Sequence, residues 1–371
     1  MHKKIIMRKI ETFAHLYMFT SPNNWRRILR QNPTVRVRYW PRLMRMRLLG
    51  WLVEPLRWQE QARYRDVIQK TQVHPSPVFI MGLWRSGTTH LHNLLGLDDS
   101  FGYASTLQCL APNFIIGQRE LMRRLLNGLM PKTRLFDNME AGLDLPQEEE
   151  VAMANLSPHC FYGYWLFPSQ MRFLFEKYMR LTGLSAREYQ EWQRDYLMLL
   201  KQTSYLQQGK PLILKSPTNL TRTRELLKLF PDARFIEIQR HPLRTWLSFL
   251  HLQNVLLRMH RLEDIDDQQV VQNSLHVFTH AMQQWLDEKS LIPAQNLVSV
   301  RYEDLVSDPL HELQRIYEAF NLSTRHVLPR WQEYLARIAG YQTNRFTPSE
   351  ADLEIARKHF GFLYEAGNYS P

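Results

Sequence analysis

Residues 78–89 read VFIMGLWRSGTT and decide the fold. The stretch opens with four apolar residues, typical of a short buried strand, and continues into a turn rich in glycine, serine and threonine. A helix is predicted to follow, because Leu91, Leu94 and Leu95 share one helical face. The spacing G-x-x-x-x-G-x-T is that of a P-loop, in which backbone N–H groups and a helix N-terminus form an anion site.

Three further apolar runs predict three more strands, at residues 211–214, 235–238 and 297–300. Helical patterns over about residues 220–230 and 268–289 separate these runs. Strands that alternate with helices indicate a parallel sheet covered on both faces. The sequence therefore predicts an α/β fold: a P-loop-like parallel β-sheet flanked by helices, with a large helical insertion over residues 118–208.

Two positions depart from the pattern of a nucleoside triphosphatase. Thr88 stands where that class has a lysine, and Arg240 follows a strand where that class has the acid that helps to hold magnesium. A cation, Arg85, lies inside the loop instead. Ser248 follows Arg240 by eight residues, about two helical turns, and an arginine and a hydroxyl at this separation can grip a phosphate. The pattern indicates an anionic ligand rather than a metal.

The positive charge of the chain is concentrated at one end. Of 371 residues, 47 are Lys or Arg and 36 are Asp or Glu, a formal net charge of +11. Residues 1–70 contain 16 of the basic residues and only four of the acidic ones. Residues 71–77 read TQVHPSP, which is a loop by its prolines. The sequence predicts a basic helical N-terminal extension over residues 1–70 and one domain over residues 71–371.

Composition excludes several classes of protein. A hydrophobic content of 44% with 22% charged residues is that of a folded globular chain. Cys109 and Cys160 form no CxxC pair and no cluster with histidine, so neither a disulfide framework nor a metal site is predicted. Lys9 and Glu11 interrupt any signal-peptide core, and no run of about 18 apolar residues occurs. We expect a cytoplasmic protein, either in solution or attached peripherally at the inner face of a membrane.

The loop, Arg240 and Ser248 together resemble the sulfotransferase superfamily that uses 3′-phosphoadenosine-5′-phosphosulfate (PAPS). The chain is similar in particular to the bacterial branch and to tyrosylprotein sulfotransferases. The resemblance covers about residues 77–320 and includes LKSP at 214–217, FPDARF at 230–235 and RYEDL at 301–305. It implies a PAPS-dependent sulfotransferase that transfers a sulfonate group to a hydroxyl acceptor without a metal.

The resemblance also implies roles for individual residues. The loop residues that would bind the 5′-phosphosulfate are Arg85, Ser86, Gly87, Thr88 and Thr89. Arg240 and Ser248 would bind the 3′-phosphate. Lys215, at the end of a predicted parallel strand, would stabilise the leaving phosphate together with Arg85.

Two segments contain candidates for the general base. Tyrosylprotein sulfotransferases carry a catalytic glutamate shortly after the first helix, but residues 101–106 here read FGYAST and contain no acid. The bacterial branch has a Pro-Gln-Glu stretch similar to the one that ends at Glu148, so we predict Glu148 as the base and Glu150 as the next candidate. His90 and His92 on the first helix are alternatives. The glutamates could also be a solvated first turn, favoured by the helix dipole.

Two further features bear on the acceptor and on partners. Aromatic residues crowd residues 161–178, either as core or as the lining of a pocket for an acceptor with a sizeable apolar part, such as a lipid. In residues 1–70, basic residues accompany apolar ones and Trp40, Trp51 and Trp58. This composition is typical of a helix on an anionic membrane, or of a basic hairpin packed on the main domain. No nucleic-acid-binding motif accompanies the charge, so nucleic acid is not a predicted partner.

Two other functions fit part of the sequence. The loop spacing alone fits a P-loop kinase or NTPase, which would require magnesium. The basic end fits a non-catalytic, membrane-associated adaptor that retains the fold, and such a protein would transfer nothing.

Overall fold

The computed structural model describes residues 16–32, 34–134 and 136–370. The first part of the predicted basic extension, which includes Lys3, Lys4, Arg8 and Lys9, lies outside the described residues.

Four strands form one parallel sheet: β1 Val78–Met81, β2 Ile213–Lys215, β3 Arg234–Gln239 and β4 Leu297–Arg301. Their order is β2-β1-β3-β4, so β1 lies between β2 and β3. In this register, Ile80 pairs with Lys215 on one side and with Ile236 on the other. The α/β class and the parallel sheet predicted from the sequence are confirmed.

The second strand begins two residues later than its apolar run predicts. Pro211 has no N–H to donate to the sheet, and Leu212 forms only an isolated bridge with Gly102. The carbonyl of Pro211 accepts the N–H of Gly102 at 2.9 Å. The ladder with β1 therefore starts at Val78 and Ile213, and β2 ends on Lys215.

The helices are, in chain order, α1 Pro22–Gln31, α2 Trp40–Leu52, α3 Glu54–Lys70, α4 Thr88–Leu95, α5 Thr106–Leu110, α6 Ile115–Asn127, α7 Glu149–Leu156, α8 Met171–Leu174, α9 Ala186–Leu206, α10 Thr223–Leu229, α11 Pro242–His260, α12 Asp267–Glu288, α13 Tyr302–Ser307, α14 Pro309–Ala319, α15 Leu328–Ile338, α16 Glu350–His359 and α17 Gly361–Gly367. Shorter 3₁₀ turns are Val37–Tyr39, Phe161–Trp165, Pro168–Gln170, Pro217–Thr221, Lys289–Leu291 and Ala294–Asn296, and Phe175–Met179 is a π turn. In the described part of the chain, no helix is long and apolar enough to cross a bilayer.

The helix predicted between β2 and β3 is divided in two. A 3₁₀ turn, Pro217–Thr221, comes first, and α10 begins only at Thr223. The N–H of Arg222 donates to the carbonyl of Asn219, three residues back, at 3.0 Å. This bond gives the tighter 3₁₀ turn and delays the start of the α-helix.

The chain divides into two compact units. The first contains the chain up to Val73 together with Ala104–Gly209 and Gln253–Asn273. The second contains His74–Tyr103, Lys210–Leu252 and the chain from Ser274 onwards, and all four strands belong to it.

The core of the second unit is built on the sheet. Every residue of β1 and β2 is buried. Leu91, Leu94 and Leu95 of α4 join this core, as their shared helical face predicts. Buried apolar residues from the helices that follow β4 complete it: Leu305, Leu313, Ile316, Tyr317, Phe320, Val327, Trp331 and Tyr334.

In the first unit, α3 carries buried charged residues that bind backbone groups. The carboxylate of Glu60 accepts the N–H groups of Ile116 and Gly117, both at 2.8 Å, at the start of α6. The guanidinium of Arg57 donates to the carbonyl of Phe19. Buried carboxylates and guanidinium groups are costly without such partners. The described part of the basic extension therefore shares one compact unit with the helical insertion.

Candidate active site

The loop between β1 and α4 requires glycine at two positions. A Cβ atom at Gly82 would lie 2.7 Å from the hydroxyl oxygen of Ser86. At Gly87 the φ angle is +100°, and a Cβ atom would lie 2.2 Å from the ring of Tyr302. A residue with a side chain would be strained in this conformation and would clash with the ring. The two glycines thus allow the close turn that the sequence predicts.

The turn leads directly into a helix N-terminus. α4 begins at Thr88, immediately after Gly87, so its first N–H groups have no partner within the helix. The hydroxyl of Ser86 donates to the carbonyl of Leu83 at 2.8 Å and holds the turn closed. Backbone N–H groups and the positive end of the helix dipole together make an anion site. The predicted loop residues, from Arg85 to Thr89, all lie at this turn.

Lys215 brings a buried positive charge to one side of the turn. It is the last residue of β2, and only 1% of its surface is exposed. Its Nζ donates to the Oγ1 of Thr89 at 3.4 Å, in the first turn of α4. A buried ammonium group is costly unless polar or anionic groups surround it. This position beside a helix N-terminus favours a negatively charged ligand.

Arg240 brings a second cation to the other side of the turn. It follows β3, its Nη1 donates to the carbonyl of Arg85 at 3.0 Å, and its guanidinium lies 4.3 Å from the ring centre of Tyr302. Its buried Nε has no hydrogen-bond partner among the described residues. Burial lowers the pKa of the Arg240 guanidinium, which nevertheless stays charged at neutral pH. A buried N–H donor without a partner is a ready contact for a phosphate oxygen.

Ser248 lies on α11 and contacts the loop. Its Oγ accepts the Nε–H of Arg85 at 2.9 Å. Arg85 has a φ of +73°, a conformation that non-glycine residues rarely adopt. The hydroxyl of Ser248 can still donate its own proton. Arg85, Arg240 and Ser248, which the sequence assigned to one ligand, lie together on the β3 side of the loop, whereas Lys215 lies on the β2 side.

Two residues near the loop were given no role from the sequence. Tyr302 packs against both Gly87 and Arg240, and its position in RYEDL was the one available signal. Glu237 lies within β3 and accepts hydrogen bonds from Trp285 Nε1 at 2.6 Å and Ser299 Oγ at 2.7 Å. These bonds make Glu237 a structural carboxylate of the sheet.

The glutamates predicted as base lie in the first unit, at the start of α7. Glu150 is 1% exposed, and its Oε1 accepts the N–H of Phe161 at 3.0 Å. This contact fixes the backbone of the aromatic segment. Glu148, the N-cap residue of α7, is half-buried and accepts a hydrogen bond from the hydroxyl of Tyr162. Of the two, Glu148 is the more accessible carboxylate.

The two histidines of α4 are weak bases in this environment. Burial lowers the pKa of His90 to about 4. Burial also lowers the pKa of His92, and the nearby charge of Lys215 lowers it further. A general base is most effective when its pKa lies near the working pH, so these shifts argue against either histidine in that role.

The aromatic residues of the insertion form core. The rings of Tyr162 and Trp165 stack with their centres 4.1 Å apart, and those of Phe161 and Tyr164 lie 4.7 Å apart. All four are at least 94% buried, whereas Phe173 is exposed. Of the two interpretations that the sequence left open, packing within the first unit explains this cluster.

The sheet order, the loop and the cations beside it define the class of the chain. It is a P-loop-like α/β protein in which positively charged side chains border the loop and the helix N-terminus after the first strand. Among the residues that the structure describes, no group of three or more His, Cys, Asp or Glu side chains is placed to hold a metal ion.

Comparison with known proteins gives the family. The model of the Sulfotransferase family matches residues 77–326, more than half of the chain, and the chain belongs to that family. It is 34% identical over 321 residues to the omega-hydroxy-beta-dihydromenaquinone-9 sulfotransferase Stf3 of Mycobacterium bovis, a match that covers 84% of this chain and 80% of the relative. The Mycobacterium tuberculosis protein of the same name matches to the same extent. The chain is therefore a sulfotransferase, as its motifs predict.

Solved structures show the same fold. Sulfotransferase STF9 from Mycobacterium avium is similar with a TM-score of 0.66 and 18% identity, over 95% of this chain and 88% of that one. Sulfotransferase STF1 from Mycobacterium tuberculosis H37Rv is similar with a TM-score of 0.59 and 18% identity, over 90% of this chain and 89% of that one. At this identity the likeness concerns the fold alone.

Proposed function

We propose that the chain transfers the sulfonate group of PAPS to the hydroxyl group of an apolar, lipid-like acceptor. The observation that carries the donor assignment is the placement of cations on both sides of one anion-binding loop. Lys215 lies on the β2 side, and Arg240 lies on the β3 side with a buried Nε that lacks a partner. A nucleotide with a phosphosulfate on one end of its ribose and a phosphate on the other fits two such positions.

Each of these residues has a distinct part in holding the donor. The N–H groups at the start of α4 and the glycine turn would bind the 5′-phosphosulfate. Arg240 and the hydroxyl of Ser248 would bind the 3′-phosphate. Because the side chain of Arg85 contacts Ser248, we assign Arg85 to the orientation of this hydroxyl as well as to the loop.

Lys215 is the residue we assign to the chemical step. Transfer forms a bond between the acceptor oxygen and sulfur and breaks the bond between sulfur and the bridging oxygen of the 5′-phosphate. The electron pair of the broken bond stays on that oxygen, so negative charge develops there. Lys215, a buried ammonium beside the start of α4, would stabilise this charge more strongly than a solvated cation could.

The acceptor must also lose its hydroxyl proton. We assign this proton to the carboxylate of Glu148, because Glu150 already binds the backbone of Phe161 and the pKa of His90 is too low. The hydroxyl of Tyr162 orients the Glu148 carboxylate. Removal of this proton makes the acceptor oxygen a better nucleophile.

The relative suggests the acceptor class. The name of the Stf3 relative specifies an omega-hydroxylated dihydromenaquinone as acceptor, and that relative is 34% identical to this chain over most of both proteins. We therefore propose a hydroxylated isoprenoid quinone, or a lipid alcohol of similar length, as the acceptor. Membership of the sulfotransferase family disfavours the kinase and adaptor alternatives. The cytoplasmic location stays a prediction.

The proposal is tested by incubating the full chain with PAPS and a menaquinone that carries a terminal hydroxyl, with mass spectrometry to detect the sulfate ester. The same quinone without the hydroxyl is the matched control. We expect the ester only with the hydroxylated quinone, at a rate that a magnesium chelator leaves unchanged. Calorimetry with 3′-phosphoadenosine-5′-phosphate (PAP) separates the two assignments: PAP binding without ester formation would refute the acceptor, and the absence of PAP binding would refute the donor.

A further inference from the structure

Helix α2 exposes a stripe of large apolar side chains. Trp40, Met44, Leu48, Trp51 and Leu52 are between 41% and 65% exposed, with Met44 the least and Trp51 the most. At 100° per residue these five positions fall within one third of the helix circumference. Large apolar residues normally face a core, so a continuous exposed stripe marks a contact surface.

The opposite face of α2 is already packed. Leu43, Met46 and Gly50 are buried within the first unit. At Gly50, a Cβ atom would lie 2.2 Å from the carbonyl oxygen of Thr20, so the helix backbone lies directly on its neighbour there. The stripe therefore cannot turn inward, because the other face of the helix already makes those contacts.

Arginines border the stripe. Arg45 and Arg47 are exposed, one on each side of the apolar positions by the same helical geometry. Near the start of α2 an open cavity of about 400 Å³ is lined by Arg38, Tyr39, Pro41, Arg42, Arg45 and Arg261. Four guanidinium groups around one opening make a site for a phosphate-sized anion.

Contacts inside the unit hold two of these arginines in place. Arg38 forms an ion pair with Asp264. Arg42 donates to the carbonyl oxygens of Arg261 at 2.8 Å and Arg258 at 3.1 Å. Two of the four guanidinium groups that line the cavity therefore have fixed positions at one end of the apolar stripe.

We propose that α2 docks on the surface of an anionic phospholipid bilayer. The stripe would enter the boundary between headgroups and acyl chains, and the arginine cavity would bind a lipid phosphate. The stripe supplies apolar area with two tryptophans, which favour the membrane interface, and the arginines on both sides of it complement the negative charge of the headgroups. The proposal does not depend on the donor or the acceptor of the reaction.

Vesicle co-sedimentation of the full chain tests the docking surface. Vesicles of phosphatidylcholine are compared with vesicles in which part of that lipid is replaced by phosphatidylglycerol. We expect binding only to the anionic vesicles and release by salt. Arg45→Gln/Arg47→Gln should weaken binding about 30-fold, since each basic residue near the surface contributes about 1 kcal/mol and 1.4 kcal/mol is a factor of ten. Leu48→Ser/Trp51→Ser should weaken it by about tenfold or more.

Helix α6 offers a matched control. Leu121 and Leu125 are 43% and 57% exposed and have arginines beside them, so Leu121→Ser/Leu125→Ser removes apolar surface from another helix of the same unit. We expect this variant to bind as the wild type does. Equal losses in the α2 and α6 variants, wild-type binding by the α2 variants, or equal binding of the wild type to both kinds of vesicle would overturn the proposal.

A second measurement verifies insertion without relying on affinity. Lipids brominated on their acyl chains should quench tryptophan fluorescence of the wild type, and Trp51→Phe should reduce the quenched fraction. Unchanged quenching in Trp51→Phe and Trp40→Phe would exclude the stripe from the membrane. The substituted side chains are exposed, so melting temperatures within about two degrees of wild type are expected and would show that the variants fold.

Discussion

Replacement of Arg240 by alanine should separate the two ends of the donor. In the structure Arg240 has two relevant donor groups. Its Nη1 donates to the carbonyl of Arg85, and its buried Nε has no partner among the described residues. The first supports the loop and affects any nucleotide that binds there. The second is available to the 3′-phosphate. The variant should therefore bind every nucleotide somewhat more weakly, and the loss of affinity should be larger for nucleotides with a 3′-phosphate.

The size of the difference follows from the kind of bond. A hydrogen bond to a charged group contributes about 1.5–3 kcal/mol, which is roughly a 10- to 150-fold change in affinity. Loss of the hydrogen bond to the Arg85 carbonyl should reduce the binding free energy of every nucleotide by about 1 kcal/mol. PAPS and adenosine 5′-phosphosulfate form a matched pair, because they differ only in the 3′-phosphate. Arg240→Ala should thus reduce the affinity for PAPS roughly 10- to 150-fold more than the affinity for adenosine 5′-phosphosulfate.

Isothermal titration calorimetry without an acceptor measures both affinities directly. Ser248→Ala is the companion variant and should give a smaller difference of the same sign, since its hydroxyl is a neutral donor. Arg240→Lys should recover part of the loss, because a lysine keeps the charge but not the fork of donors. Equal losses for the two nucleotides would refute the assignment of Arg240 to the 3′-phosphate.

Four further substitutions test the chemical step, the buried carboxylate and the loop, and a fifth is a control. Lys215→Ala should lower kcat and kcat/KM together by about 10²- to 10³-fold, and by calorimetry it should weaken binding of PAP, whose 5′-phosphate carries the leaving-group charge, more than binding of PAPS; wild-type turnover would remove Lys215 from the mechanism. Glu148→Gln should reduce kcat by at least about 10²-fold with PAP binding intact. Glu150→Ala should instead lower the melting temperature, because it leaves a buried N–H without its acceptor. A loss of kcat in the Glu150 variant and a loss of stability in the Glu148 variant would make Glu150 the base and Glu148 the structural carboxylate. Gly87→Ala should abolish PAPS binding, whereas Gly128→Ala, with no atom within 4 Å of its added carbon, should bind PAPS as the wild type does; PAPS binding by Gly87→Ala would contradict the loop geometry.

Local patterns were sufficient for the parts of the fold that depend on local contacts. β1 was predictable because all four of its residues are apolar, and all four are buried. The place of Ser248, about two turns into a helix that begins just after Arg240, was predictable because Pro242 marks the start of that helix. The start of β2 was not predictable from a local pattern, because Pro211 bonds to Gly102, which lies far from it in the chain.

The site itself needed contacts that no local pattern contains. Tyr302 lies over Gly87 although more than 200 residues separate them, and only the sheet register brings them together. The side chain of Arg85 bonds to Ser248 across 163 residues, so Arg85 lies beside the residue that we assign to the 3′-phosphate as well as in the loop. The aromatic cluster of the insertion was ambiguous because core and pocket linings share a composition, and the packing of its rings on one another is visible only in the structure.

A crystal structure of the chain with PAP bound would show directly which residues hold each end of the nucleotide. We expect the 5′-phosphate at the backbone N–H groups from Gly87 to Thr89, with Lys215 beside it, and the 3′-phosphate within hydrogen-bond distance of Arg240 and Ser248. PAP bound in the opposite orientation, or bound away from the loop after β1, would refute the proposed donor site.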